Sequence, residues 1–194
     1  MRLFVALDVP EHVRAAIAGL AAKLRPTCRN ARWVRIEGAH VTLKFIGEVS
    51  AEHADEIKAA LATVLFPAPV TIHFKGLGFF PNDRHPRVLW AGIEAGLALT
   101  ALAAAVDAAL SSLGMAPEAR AFSPHLTMAR FDPSGGAAGK GTLDALHAAI
   151  AKAGPFDFGN TIENEFHLYL SVLKRGGAEY TRLATFYSEG SKPR

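Results

Sequence analysis

One cysteine, three methionines and two tryptophans are all that this 194-residue chain holds of those types. A lone Cys28 excludes an internal disulfide, and with it the framework on which small secreted domains depend, so a reducing, cytoplasmic setting is expected. Long apolar runs are missing as well. The greasiest stretch, LALTALAAAVDAAL at 97–110, is interrupted by Thr100 and Asp107 and falls short of the run of about 18 residues that a membrane span needs. The opening MRLFVALDVPEH has one basic residue before an apolar run that stops at Asp8, too short for a secretion signal and readable as a first strand. Neither sign of charge dominates: a formal net charge of +3 favours a phosphate-bearing ligand over a basic one without demanding nucleic acid. No Pro/Ser-rich linker divides the chain.

Half of the residues are apolar and a fifth are charged, enough to bury a core in one globular unit. Apolar residues at helical spacing predict a helix after Pro10 (Val13, Ile17, Leu20, Leu24). A second runs from a Ser50 cap to about residue 65, with Ile57, Leu61 and Val64 inward, and a third carries Leu99, Leu102, Val106 and Leu110 and ends at Gly114. A fourth is expected after a Thr142 cap, with Leu143, Leu146 and Ile150 inward. Strands are expected over 2–8, 31–36, 40–46, 70–80, 87–94, 122–131, 156–162, 165–174 and 180–187, the last turn at Gly176-Gly177. The tight Glu37-Gly38 connection predicts that 31–36 and 40–46 pair with each other. The order is not a regular βαβ alternation, so the fold class is α+β with antiparallel pairing. A weak duplication around residue 95 suggests two lobes packed as one unit.

Two of these strands share a pattern. HVTLKF at 40–45 and HLTMARF at 125–131 each write His, any residue, Thr, apolar residue. Side chains alternate along a strand, so His40 and Thr42 share one face, as do His125 and Thr127, while the opposite face anchors them. A histidine on a strand is ordinarily a surface or hydrogen-bonded side chain, and His12, His53, His73, His85, His147 and His167 are read so. The matched pair is different. Two imidazoles can divide the roles of base and acid near neutral pH, and threonine hydroxyls suit the non-bridging oxygens of a phosphate. A phosphodiester opened in line by water needs such groups on opposite sides of phosphorus. Zinc would want three or four ligands, and the residue two beyond each histidine is Thr rather than His, Asp or Cys, so no metal and no cofactor are expected. No G-x-S-x-G stretch supports a serine nucleophile.

HVTLKFIGEV (40–49) and SPHLTMARF (123–131) resemble the paired H-x-T-x signatures of the 2H phosphoesterases, in particular the RNA 2′,3′-cyclic phosphodiesterases, historically called 2′-5′ RNA ligases. MRLFVALDVP, RWVRIEGAHVTLKFIGEV, GLGFFP, PRVLW, LYLS and GGAEYTRL extend the similarity over most of the chain. The resemblance implies one domain over 1–194, made of two interlocked, pseudo-symmetric lobes of antiparallel sheet with helices outside and a central cleft. It implies a metal-free, monomeric enzyme that hydrolyses 2′,3′-cyclic phosphate ends of RNA or nucleotides to 2′-phosphates. His40 would be the proton donor, His125 the proton acceptor, and Thr42 and Thr127 the phosphate ligands. Phe45 would stack on a base and Arg130 meet phosphate, although simple pleating turns both away from the histidines. The alternatives are 2′-5′ RNA ligase or nuclease activity, or a non-catalytic module that binds RNA ends.

Lys44 is placed by alternation on the face of His40 and Thr42. Residues 23–35, KLRPTCRNARWVR, hold five Lys/Arg and no acid, and could track an RNA backbone, a solvated rim being the simpler reading. SGGAAGKGT at 134–142 fails the spacing of a phosphate-binding P-loop and reads as a loop.

Overall fold

The computed structural model of the protein describes residues 1–66, 69–131, 140–175, 177–189 and 191, with the side chain of Lys140 excepted. The elements are β1 (Arg2–Asp8), α1 (Glu11–Leu24), β2 (Arg32–Trp33), β3 (His40–Glu48), α2 (Ala51–Leu61), β4 (Val70–Phe80), β5 (Val88–Ala95), α3 (Leu97–Ser111), β6 (His125–Arg130), α4 (Lys140–Ala153), β7 (Asp157–Glu163), β8 (Glu165–Lys174) and β9 (Gly177–Tyr187). Short 3₁₀ turns cover Arg25–Thr27 and Ile36–Gly38.

Helix formation follows the apolar stripes. Val13, Ile17, Leu20 and Leu24 are the buried face of α1, which begins after Pro10. Ser50 caps α2, its hydroxyl accepting from the His53 N–H at 3.2 Å. Leu99, Leu102, Val106 and Leu110 bury one side of α3. Three helix boundaries differ from expectation: α2 stops at Leu61, α3 stops at Ser111 rather than Gly114, and α4 already includes Lys140, so Thr142 lies inside the helix rather than capping it. Gly176 and most of the 134–142 stretch lie outside the described residues.

The strands form two antiparallel sheets, an α+β arrangement with order β3-β1-β8-β9 in one and β2-β6-β5-β4-β7 in the other. Two expectations need correction. Residues 31–36 and 40–46 do not pair: only Arg32 and Trp33 form a strand, they pair with β6, and β3 pairs with β1. The 3₁₀ turn over 36–38 breaks the strand run, and the segment before it crosses from one sheet to the other. Nor does residue 95 divide the sheets. The four-stranded sheet combines β1 and β3 with the C-terminal β8 and β9, while the five-stranded sheet takes β2, β4 and β5 from the first half. The sheets are therefore interleaved along the chain.

The sheets meet where β3, an edge strand, lies against β6. Helix α3 packs behind β3 and β4, and α1 behind β7. Val41, Val5 and Leu7 in one sheet and Leu126, Leu89 and Ala91 in the other are buried on the helix side. The histidine-bearing faces are the ones the helices leave uncovered.

Candidate active site

The two motif strands match residue by residue. From His40 to Phe45 and from His125 to Arg130 the burial runs half-buried, buried, half-buried, buried, buried, exposed in both. Strict alternation would not put two buried residues in succession. The pairing register explains it: against β1, Ala6 faces Thr42 and Val5 faces Lys44, so Leu43 is an extra residue. Against β5, Trp90 faces Thr127 and Leu89 faces Ala129, so Met128 is the extra one. Each strand thus carries a β-bulge at the fourth motif position, which reverses the alternation beyond it.

The bulge relocates three residues relative to the simple pleat. Phe45 pairs with Phe4, on the face where Ala6 and Asp8 pair with Thr42 and His40. Arg130 pairs with Val88, on the face where Trp90 and Gly92 pair with Thr127 and His125. Both therefore share a face with the motif polar groups, contrary to the pleating expectation. Lys44 moves the other way. It is buried against α3, bonded to the Asp107 carboxylate, and donates to the Ala116 carbonyl at 2.9 Å, so it does not stand beside His40 and Thr42.

Both rings are held alike. His40 Nδ1 lies 3.0 Å from the Gly38 carbonyl oxygen, and His125 Nδ1 lies 2.8 Å from that of Ser123, two residues upstream in each case. A carbonyl only accepts, so each Nδ1 carries the proton and Nε2 is the nitrogen left to take or give one. Aromatic rings fix the planes: Phe4 at 4.4 Å and Tyr180 at 5.0 Å from His40, Phe80 at 4.9 Å and Trp90 at 6.4 Å from His125. The Trp90 indole lies over Gly78, where a Cβ would come within 2.1 Å of it, so that position admits only glycine without displacing the ring.

Around His40 lies a polar cluster that the motif did not signal. Asp8, its register partner, accepts from the Tyr169 hydroxyl on one oxygen and from Arg182 on the other. His167, fully buried, places Nδ1 3.1 Å from the Thr185 hydroxyl and Nε2 3.7 Å from Asp8 and 3.5 Å from Glu165. Burial pushes His40 below the ordinary histidine value, opposed by its bond to the Gly38 carbonyl and by the Asp8 charge. Burial and the bond to Asp8 push the Tyr169 phenol up to about 12. The sequence signals for this cluster were faint: Asp8 ends an apolar strand, and Tyr169 and Arg182 sit on strands at the far end of the chain. Among the described residues no group of three or more His, Cys, Asp or Glu side chains is arranged to hold a metal ion. A cavity of about 480 Å³ opens beside Phe45, against Met115 and Ala116, and contains neither histidine.

The sequence profile described as LigT like Phosphoesterase matches residues 7–90, a span that includes the His40 strand and stops before the His125 strand. Similarity to whole proteins covers both. An RNA 2′,3′-cyclic phosphodiesterase of Aeropyrum pernix is 34% identical over 172 residues, 86% of this chain and 94% of that protein. The chain belongs to the LigT-like phosphoesterase family of the 2H superfamily. The protein of the same name from Archaeoglobus fulgidus is 33% identical over 96% of this chain and 99% of its own. Among solved structures, one from Thermus thermophilus superposes with a TM-score of 0.77 at 31% identity, covering 99% of this chain and 100% of that one. Escherichia coli LigT complexed with 3′-AMP gives a TM-score of 0.77 at 28% identity over 97% and 98%. Among the described residues, no helix of this LigT-like protein is long and apolar enough to cross a membrane.

Proposed function

We propose that this protein hydrolyses the 2′,3′-cyclic phosphate at the end of an RNA or nucleotide to a 2′-phosphate, by two-histidine acid-base catalysis. The observation that carries the reading is the shared anchoring of His40 and His125 through Nδ1 to a carbonyl two residues upstream. It leaves one proton-transfer nitrogen per ring, each on a strand that offers a threonine hydroxyl on the same face. The names of the relatives and the nucleotide-bound LigT structure support the substrate class.

In this scheme the neutral His125 takes a proton from water through Nε2 as the water oxygen bonds to phosphorus. The protonated His40 gives its Nε2 proton to the ribose 3′ oxygen as the P–O3′ bond breaks. The 2′ oxygen keeps the phosphate, and solvent exchange returns both rings to their starting states. Thr42 and Thr127 donate to the non-bridging oxygens, whose charge grows in the transition state. Phe45 offers a face for the terminal base and Arg130 a guanidinium for phosphate. Burial lowers the His40 pKa, and the Gly38 carbonyl and Asp8 oppose it by favouring the protonated form that the donor role requires. The whole chain acts as one domain in this reading, a cytoplasmic monomer without a metal.

The test is product analysis on an oligonucleotide ending in a 2′,3′-cyclic phosphate, with and without a 5′-hydroxyl acceptor. A 2′-phosphate in both reactions is expected. A 3′-phosphate would reverse the regiochemistry, a joined product would favour ligation, and binding without turnover would leave an RNA-end binding module.

A further inference from the structure

Strand β2 consists of Arg32 and Trp33 alone, and its register sets Arg32 opposite Arg130 and Trp33 opposite Ala129. Residues directly opposite in an antiparallel pair project to one face, with Cβ atoms about 4.5–5.5 Å apart. Trp33 accordingly turns to the buried side, where its indole donates to the Cys28 carbonyl at 3.1 Å. Arg32 thus shares the face of Arg130, Thr127 and His125. Like charges directly opposite are destabilising. Arg32 and Arg130 are both exposed and neither has an ion pair among the described residues, so no carboxylate there offsets the repulsion that their register imposes. An anion between the two guanidiniums removes that repulsion and accepts from both forks.

The spacing identifies which anion. The β5 partners of Thr127 and Arg130 are Trp90 and Val88, two residues apart, or about 7 Å along the strand. The Arg pair therefore lies beyond the threonine along β6, at the C-terminal end of that strand. We propose that Arg32 and Arg130 form a site for the internucleotide phosphate next to the reacting end, so that the preferred substrate is an RNA strand rather than a free cyclic nucleotide. This rests on the cyclic phosphodiesterase reading. The basic stretch 23–35 contributes through Arg32, and the bulge at Met128 is what brings Arg130 to meet it.

The experiment compares wild type, Arg32→Gln and Arg32→Lys on a 2′,3′-cyclic mononucleotide and on a short oligonucleotide with the same cyclic end, across a series of salt concentrations. For Arg32→Gln the ratio of oligonucleotide to mononucleotide kcat/KM is expected to fall about tenfold, mainly through KM, with the salt slope on the oligonucleotide shallower by about 0.7–1. Arg32→Lys recovers part of the ratio. A ratio within about twofold of wild type, or equal losses on both substrates, overturns the site. If wild type turned over neither substrate, the activity reading would fail by itself. Binding of the labelled oligonucleotide, followed by anisotropy, would still decide, because equal affinities of wild type and Arg32→Gln overturn the phosphate site.

Discussion

The strands β3 and β6 share a bulge, a burial pattern and a histidine anchored to the chain two residues back, yet they stand in unlike surroundings. Opposite His40 lies Asp8, tied to Tyr169 and Arg182 with His167 behind it, and the fifth motif residue is a buried lysine bonded to Asp107. Opposite His125 lies Gly92, flanked by Trp90 and Phe80, and the fifth motif residue is Ala129. One half is dense in charge and the other is mostly aromatic. Repeated geometry therefore does not give equal chemistry. In the proposed reaction the backbone sets which nitrogen of each ring exchanges a proton, and the neighbours set which ring is the donor.

The largest effect comes from removing each imidazole in turn. His40→Ala and His125→Ala are each expected to lower kcat by about 10²- to 10⁴-fold on a cyclic phosphate end, the usual worth of a general acid or base. The comparison is sharpened by a phosphodiester with an aryloxide leaving group, which departs without a proton. His40→Ala should recover most of its loss on that substrate, and His125→Ala should not. Recovery in His125→Ala instead would exchange the roles, and full rates in either variant would remove that ring from the chemistry.

The fifth motif position gives a smaller effect, on stability rather than rate. Lys44→Met leaves Asp107 without its cation and should cost roughly 1–3 kcal/mol, the range for a charged group deprived of its partner in a partly buried place. Its bond to Lys44 holds the Asp107 carboxyl below the usual range. A depressed carboxyl contributes stability above its unfolded pKa and loses it as pH falls through the folded value. Denaturation curves of wild type and Lys44→Met should consequently converge in acid. Turnover per folded molecule should be unaltered. A large loss of turnover would return Lys44 to the site, where alternation had placed it.

The misplacement of Lys44 shows how far the sequence is legible. His40, Thr42, His125 and Thr127 could be read from spacing because two of them precede the bulge on each strand, where the period of two still holds. Phe45 and Arg130 follow it. An extra residue leaves no mark in composition, so only the register with β1 and β5 reveals the reversal. Helices α1 and α3 were equally plain, since a stripe of apolar residues is local. The partner of β2 was not, because a two-residue strand has no period and its pairing with β6 spans nearly a hundred residues. Asp8, Tyr169 and Arg182 come from three strands of one sheet and form a cluster only once that sheet is assembled.

The smallest expected effect separates the two halves most finely. If His40 must be protonated and His125 neutral in the free enzyme, the high-pH limb of kcat/KM reports His40. Burial lowers that ring's pKa, so the limb should lie below the ordinary histidine value. Asp8 opposes the shift by favouring the cation, and Asp8→Asn removes that help. Arg182, released from its carboxylate, keeps its positive charge and acts in the same direction. The limb should move to still lower pH with the low-pH limb in place. Movement of the low-pH limb alone would mean that the ring beside Asp8 is the base, and the charged half of the site would then serve the entering water rather than the departing ribose oxygen.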